Sequence, residues 1–200
     1  MPAGAFDATL IVDYTKDETD GPPGHSLGVP EIQDDVYEVA LSFDPYIETE
    51  TLGVTLQANW ALGEGNVALV AGHRDLEYLN RGDFDGLPNQ PGLDVTRDFD
   101  GDYQSLELRY SSPLEGRFDY VAGLYYIQNE WQQVNNVIVN PVVGTFGINE
   151  QDTTSYAVFA QGNYHVNDAL TLTLGGRYTR DEKDYSLFSQ TLIGGNPVAE

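Results

Sequence analysis

Alternation with a period of two constrains this chain more than any other feature. Phe6, Ala8, Leu10, Val12 and Tyr14 share one side of an extended segment, and Asp7, Thr9, Ile11 and Asp13 share the other. That is the pattern of a strand with one apolar face. It recurs at Leu52, Val54, Leu56, Ala58 and Trp60, at Val67, Leu69 and Ala71, and at Leu106, Leu108 and Tyr110. Three further runs follow, Phe118 to Tyr126, Tyr156 to Tyr164 and Leu170 to Tyr178. The pattern predicts seven strands of about ten residues each. The charges inside them, Asp7, Asp13, Arg74, Glu107, Arg109, Asp119 and Arg177, all fall on the polar face. A soluble β-sandwich obeys the same rule, so alternation alone leaves sandwich and membrane barrel open.

Three features separate the two. Soluble strands average about five or six residues, whereas strands that cross a bilayer need about 9 to 11. Aromatics on the apolar face sit in pairs eight residues apart: Phe6 with Tyr14, Phe118 with Tyr126, Tyr156 with Tyr164. Eight steps of about 3.4 Å, tilted near 40°, rise roughly 20 Å, close to the spacing of the two aromatic girdles of a membrane barrel. Connection lengths also alternate. Ala61 to Asn66, Pro113 to Arg117 and His165 to Ala169 read as short periplasmic turns. Thr15 to about Thr49, Asp75 to Asp102 and Glu130 to Asp152 read as long extracellular loops. Val36 to Phe43 alternates as well. Counting it as a membrane strand would put two long loops on opposite sides of the bilayer, so it is assigned to a β-excursion within the first outer loop.

Composition narrows the function. With 32 acidic against 9 basic residues the net charge is −23, which repels nucleic-acid phosphates. There is no cysteine, which excludes disulfides and thiolate metal sites. No apolar run reaches the roughly 20 residues of a membrane helix, and Val137 to Ile148 is broken by Asn140, Pro141 and glycine. The N-terminus carries neither the basic start nor the apolar core of a signal peptide.

At Leu106 to Asn129, LELRYSSPLEGRFDYVAGLYYIQN, and at Ser155 to Tyr185, SYAVFAQGNYHVNDALTLTLGGRYTRDEKDY, the chain resembles the β-barrel of TonB-dependent receptors. Gly53 to Tyr78, GVTLQANWALGEGNVALVAGHRDLEY, is similar to the preceding hairpin of those barrels. The resemblance implies an all-β, antiparallel transmembrane barrel segment in the outer membrane of a Gram-negative bacterium. In that family a 22-stranded barrel encloses an N-terminal plug, and outer loops capture a siderophore-bound iron, a cobalamin or an oligosaccharide. The TonB complex then drives uptake through a box near the receptor's N-terminus. The expected partners are therefore outer-membrane lipid and lipopolysaccharide, a small-molecule ligand of the parent, and TonB only through an N-terminal part of the parent. Residues 1–200 are expected to be a partial barrel without plug or signal peptide. Such a piece is expected not to transport alone, because unpaired N–H and C=O groups at its two edges each cost several kcal/mol in hydrocarbon.

No catalytic, cofactor or metal residues are expected, and the chain is read as a non-enzyme. Asp98 to Asp102, DFDGD, has the look of a calcium loop, but Tyr103 stands where an EF-hand needs glycine. It reads as a solvated acidic loop, as does Gly82 to Gly86. His25, His73 and His165 show no metal spacing. Parity points Glu107, Arg109, Tyr125 and Arg177 into the lumen. Tyr78, Phe84, Phe99 and Trp131 fall in the expected long loops and are candidate ligand contacts, with loop packing as the bland alternative. Acidic loops imply a negative mouth that favours neutral or cationic ligands, or lipopolysaccharide bridged by divalent cations, testable at Asp83, Asp85 and Asp100. Two rival readings remain: a small closed porin or adhesin whose eighth strand would be Tyr185 to Ile193, and a soluble β-sandwich that binds carbohydrate or calcium.

Overall fold

The computed structural model describes residues 5–24, 26, 37–88, 92–114, 116–140, 142–194 and 196–197. Seven long strands follow one another: β1 (Phe6–Asp20), β2 (Tyr46–Leu62), β3 (Gly65–Asp83), β4 (Asp94–Ser111), β5 (Phe118–Ile138), β6 (Val143–Asn167) and β7 (Leu170–Ile193). A two-residue strand, β8 (Asn196–Pro197), pairs with the end of β7. Each strand is hydrogen-bonded antiparallel to the next in sequence, and the order runs β1 to β8 without returning to β1. The sheet is therefore an open, up-and-down meander, an incomplete barrel.

The strands are longer than the ten residues expected, from 15 in β1 to 25 in β6. The excess lies at the extracellular ends, where the ladder runs on through most of what reads as loop in the sequence. Only residues 84–93 and 139–142 separate β3 from β4 and β5 from β6. The cause is the solvent. Above a bilayer both faces of a ribbon meet water, so the alternation that betrays a membrane strand disappears while the backbone pairing continues. The periplasmic ends behave as expected. β2 and β3 are joined by Gly63-Glu64 alone, with Gly63 at φ +64°, which a hairpin of the II′ kind requires at its first central residue. Segment 36–43 is not a β-excursion over its described residues, 37–43, which form a turn and bends; Val36 lies outside the described residues.

Register fixes the tilt. Tyr14 of β1 pairs across the sheet, through Leu52, Asp75 and Asp102, with Glu130 of β5, four residues above Tyr126. Phe6 pairs through Trp60, Val67 and Tyr110 with Ala122, again four residues above Phe118. Both aromatic girdles thus slip by about one residue per strand. Continuing the upper row through Asp152 reaches Asp184 of β7, six residues above Tyr178, at the same rate. One 3.4 Å step per 4.8 Å strand spacing is a tilt of about 35°, the lower end of the range for membrane barrels. Two flat aromatic rings are recovered only if the strands lean by that amount.

The same structure disposes of both rivals. The described residues form one sheet with no layer stacked on it, and Leu108, Leu124 and Leu172 are 39%, 57% and 56% exposed. Among the described residues the buried apolar ones are Ala58, Val67, Val95 and Ala157. The accessible surface is 13068 Å² for 22.0 kDa, against about 9,300 Å² for a compact soluble monomer of that mass. A sandwich core is absent among the described residues, and none of them covers the apolar face. Tyr185 to Ile193 is no separate eighth strand but the upper part of β7, paired with Val143 to Gln151 of β6.

Candidate functional site

Unbroken registers carry the parity of the membrane segment to the strand tips, with one irregularity at His165 and Asn167 near the periplasmic rim. The face opposite the aromatic girdles is the inner one. Its lower part brings together the four residues that parity assigned to the lumen. Arg109 Nη1 lies 3.6 Å from Glu107 Oε1, and the Arg177 guanidinium sits 5.4 Å from the centre of the Tyr125 ring. A hollow of about 660 Å³ separates the two arginines, with Phe159 between them. Phe159 reaches across Gly123, where a Cβ would strike its ring. Beside this group, Arg74 Nη2 spans β2 to reach Asp13 Oδ2 at 3.0 Å, and the bridge passes over Gly53. Six inner carboxylates, Asp7, Asp13, Asp17, Glu107, Asp119 and Asp181, face five cations, Arg74, Arg97, Arg109, Arg177 and Lys183.

The inner wall is therefore close to electroneutral, and the acidic excess lies elsewhere. Asp75, Asp102, Glu130, Asp152 and Asp184 pair strand to strand along one row of the outer face. Asp100 belongs to that outer face too, and Asp83 is buried, so neither builds the negative mouth expected of the acidic loops. The physical reason is again parity: an acidic residue in an extended ladder lines the opening only if it falls on the inner face.

Higher on the inner face, three of the four expected loop aromatics come together, but in strands. Tyr78 of β3 pairs directly with Phe99 of β4. Phe99 stacks on Trp131 of β5, ring centres 5.9 Å apart, and Trp131 lies 6.5 Å from Tyr185 of β7. Gly101 leaves room for this stack, since a Cβ there would come within 2.9 Å of the Phe99 ring. The fourth, Phe84, follows β3, is exposed, and lays its ring against Gly82. Tyr185 escaped the reading of the sequence. Counting on from Arg177 by twos would have found it.

At the tip of β3, Asp83 is fully buried. Its Oδ2 accepts from Ser42 N at 2.8 Å and Ser42 Oγ at 3.0 Å, and its Oδ1 from Gly86 N at 3.1 Å. The Arg81 guanidinium sits 3.9 Å from the centre of the Phe43 ring, and Gly24 N donates to the Asp83 carbonyl. These contacts strap the first outer connection to the β3–β4 turn. Burial pushes the Asp83 carboxyl up, but the three donations outweigh it and hold it below the ordinary value. Asp94 faces Asp83 in the ladder and is 8% exposed. Burial and then the charges of Asp83 and Asp85 raise it, with Arg81 opposing. Burial likewise raises Asp85, and its neighbour Asp83 adds to this.

Among the described residues no group of three or more His, Asp or Glu is placed to hold a metal ion. Asp98 and Asp102 lie in β4 rather than in a loop. His73 Nδ1 meets Asp102 Oδ2 at 3.3 Å on the outer face, and His165 Nε2 meets Asp119 Oδ2 at 2.6 Å near the periplasmic rim. His25 lies outside the described residues.

A tilted, single-layered meander with two aromatic girdles and a near-neutral inner wall is the geometry of an outer-membrane barrel wall. The family profile described as "TonB dependent receptor-like, beta-barrel" matches residues 4–196. The chain belongs to this family. Members of the TonB-dependent receptor family are outer-membrane receptors and transporters of Gram-negative bacteria. No curated protein matches the sequence. Among solved structures, the chain is similar to "The crystal structure of the ferric yersiniabactin uptake receptor FyuA from Yersinia pestis", at TM-score 0.69 and 17% identity, over 98% of this chain and 30% of that one. At such identity the likeness speaks for the fold alone, and this chain spans about 30% of the length of that uptake receptor.

Proposed function

We propose that the chain forms part of the wall of an outer-membrane receptor that takes up a scarce small molecule, and that it does so as a transporter component and not as an enzyme. The observation that carries the reading is the inner-face aromatic strip of Tyr78, Phe99, Trp131 and Tyr185, standing above a charged wall of Glu107, Arg109, Tyr125 and Arg177. Flat aromatic faces beside a near-neutral wall suit the planar chelating groups of a siderophore, the corrin of a cobalamin or the sugar faces of an oligosaccharide. One similar solved structure is a ferric yersiniabactin uptake receptor, a likeness that supports the first of these. A bare anion would gain little from a wall on which six carboxylates stand among five cations.

The lower group has a second task. In a receptor whose lumen is plugged, paired inner charges such as Arg109 with Glu107 meet the plug surface and hold it against the wall. The open β1 and β7 edges agree with a division of labour in which plug, TonB-reaching segment and remaining strands belong to other parts of the receptor. Residues 1–200 then form one sector of the barrel and do not transport alone.

Trp131→Ala and Tyr185→Ala test the strip in the complete receptor. Each is expected to weaken ligand binding about tenfold, about 1.4 kcal/mol and the scale of a truncated aromatic anchor, while the heat-dependent shift in electrophoretic mobility that reports a folded barrel stays unchanged. Wild-type uptake in the double variant would remove the strip from the ligand path.

A further inference from the structure

Two strands on opposite sides of the sheet carry nearly the same seven residues. Tyr14 to Asp20 reads YTKDETD and Tyr178 to Asp184 reads YTRDEKD. Register places Tyr14 and Tyr178 in the same upper aromatic ring, because the row from Tyr14 meets β7 six residues above Tyr178 across six strand steps. In each copy a cation stands two residues above the girdle on the outer face, Lys16 or Arg180. At the tilt derived above, two residues rise about 5–6 Å, from the edge of the hydrocarbon into the headgroup layer. Each cation meets a glutamate of its own strand, Lys16 Nζ with Glu18 Oε1 at 2.8 Å and Arg180 with Glu182.

Below Arg180 the outer face is hollowed into a groove of about 560 Å³ whose lining is almost wholly apolar, formed by Leu108, Leu124, Val158, Tyr156 and Tyr178 with Arg180 at its upper mouth. The Tyr156 ring pairs with Tyr126 at 5.2 Å and walls one side. An apolar trough that ends in a guanidinium at headgroup height is complementary to one class of molecule, a lipid whose acyl chain lies along the trough and whose phosphate meets the arginine. Glu182 does not exhaust that guanidinium. Arg180 and Glu182 side chains are 68% and 53% exposed, so their mutual attraction is weak, and a guanidinium has five N–H donors in a fork that fits phosphate. Asp152 and Asp184, above the groove, repel a phosphate placed higher and set the level at which it can sit.

We propose that the Arg180 groove binds a phosphorylated outer-leaflet lipid, acyl chain against Leu108, Leu124 and Val158 and phosphate on Arg180, a site that Lys16 on β1, set between Glu18 and Glu50 and without a groove, does not reproduce. This rests on the outer-membrane reading of the chain but not on its ligand. The groove faces away from the lumen, so the transport reading and the lipid site can fail separately.

The test is native mass spectrometry of the protein extracted from outer membranes in mild detergent, within whatever barrel it completes. The wild type is expected to retain phosphorylated lipid A. Arg180→Glu is expected to lose at least tenfold of it, Arg180→Lys to retain most of it, and Lys16→Gln to lose less than Arg180→Glu. Added lipid A stripped of its phosphates should not restore occupancy. Equal retention by wild type and Arg180→Glu, both showing the mobility shift of a folded barrel, overturns the site. So does equal binding of the dephosphorylated lipid, which would reduce the groove to ordinary hydrocarbon contact, or displacement by millimolar inorganic phosphate, which would reduce it to an anion contact. If Arg180→Glu does not fold, Leu124→Trp fills the trough without touching the charge and is expected to lose the same lipid.

Discussion

Gly53 is the residue on which the inner wall between β1 and β3 turns. A Cβ there would collide with the Asp13 carboxylate and the Arg74 guanidinium, which bridge over it. Gly53→Val is therefore expected to destabilise the folded chain by about 1–3 kcal/mol, read as a lowered urea midpoint in bilayers, through overpacking and a displaced ion pair. A loss below about 0.5 kcal/mol would mean the pair moves aside freely. The Asp83 cluster yields a pH dependence. Asp85 and Asp94 are raised, so their contribution is complete below the ordinary value of 3.8 and is lost as pH rises through their folded values. Asp83 is lowered, so its contribution is complete above 3.8 and is lost as pH falls through its folded value. The strap is tightest where Asp83 is charged and its neighbours are not, in the window between its lowered value and their raised ones. Hydrogen exchange at residues 37–45 and 84–88, corrected for intrinsic rates, is expected to be slower near pH 4, just above the ordinary carboxyl value, than at pH 7, and Asp94→Asn should reduce the difference. Identical exchange at both pH values would deny the cluster any role. Parity made Glu107, Arg109, Tyr125 and Arg177 legible from the sequence, since the side a residue takes needs only its number. The Asp83 cluster was not legible, because Ser42 and Asp94 reach it from segments distant in sequence.

Each strand divides into a part governed by lipid and a part governed by water. In β1 the division falls at Tyr14, with Leu10 midway between the girdle residues Phe6 and Tyr14. Leu10→Arg is expected to cost about 2–4 kcal/mol of folding free energy in bilayers, whereas Glu130→Arg, above the girdle on β5, should cost less than about 1 kcal/mol. Equal penalties at the two sites would contradict the placement of the bilayer. The lipid-governed part was readable in every strand, because hydrocarbon enforces alternation. The water-governed part was misread as loop. Segments such as Gln132 to Ile138 and Thr145 to Asn149 extend ladders in which neither face needs to be apolar, and no periodic signal survives there. Valine, isoleucine and threonine in those stretches were the remaining clue, a weak one.

Seen whole, the chain has two raw edges. β1 over Phe6–Asp20 and β7 over Leu170–Ile193 each present a row of backbone groups that no long strand among the described residues pairs. In detergent the isolated chain is expected to self-associate through those edges rather than run as a single closed species, which native mass measurement can decide; a stable, protease-resistant monomer would contradict the open sheet. The one-residue slip per strand has a last consequence, for the pore. A strand leaning 35° occupies about 5.9 Å of circumference, so the 22 strands of the family enclose a pipe about 40 Å across between backbones. Seven strands of that lean span about a third of such a rim. A bore of that width, left vacant, would leak solutes of every kind across the outer membrane, so a wall with this slant can serve a selective cell only when something obstructs the hole it helps to frame.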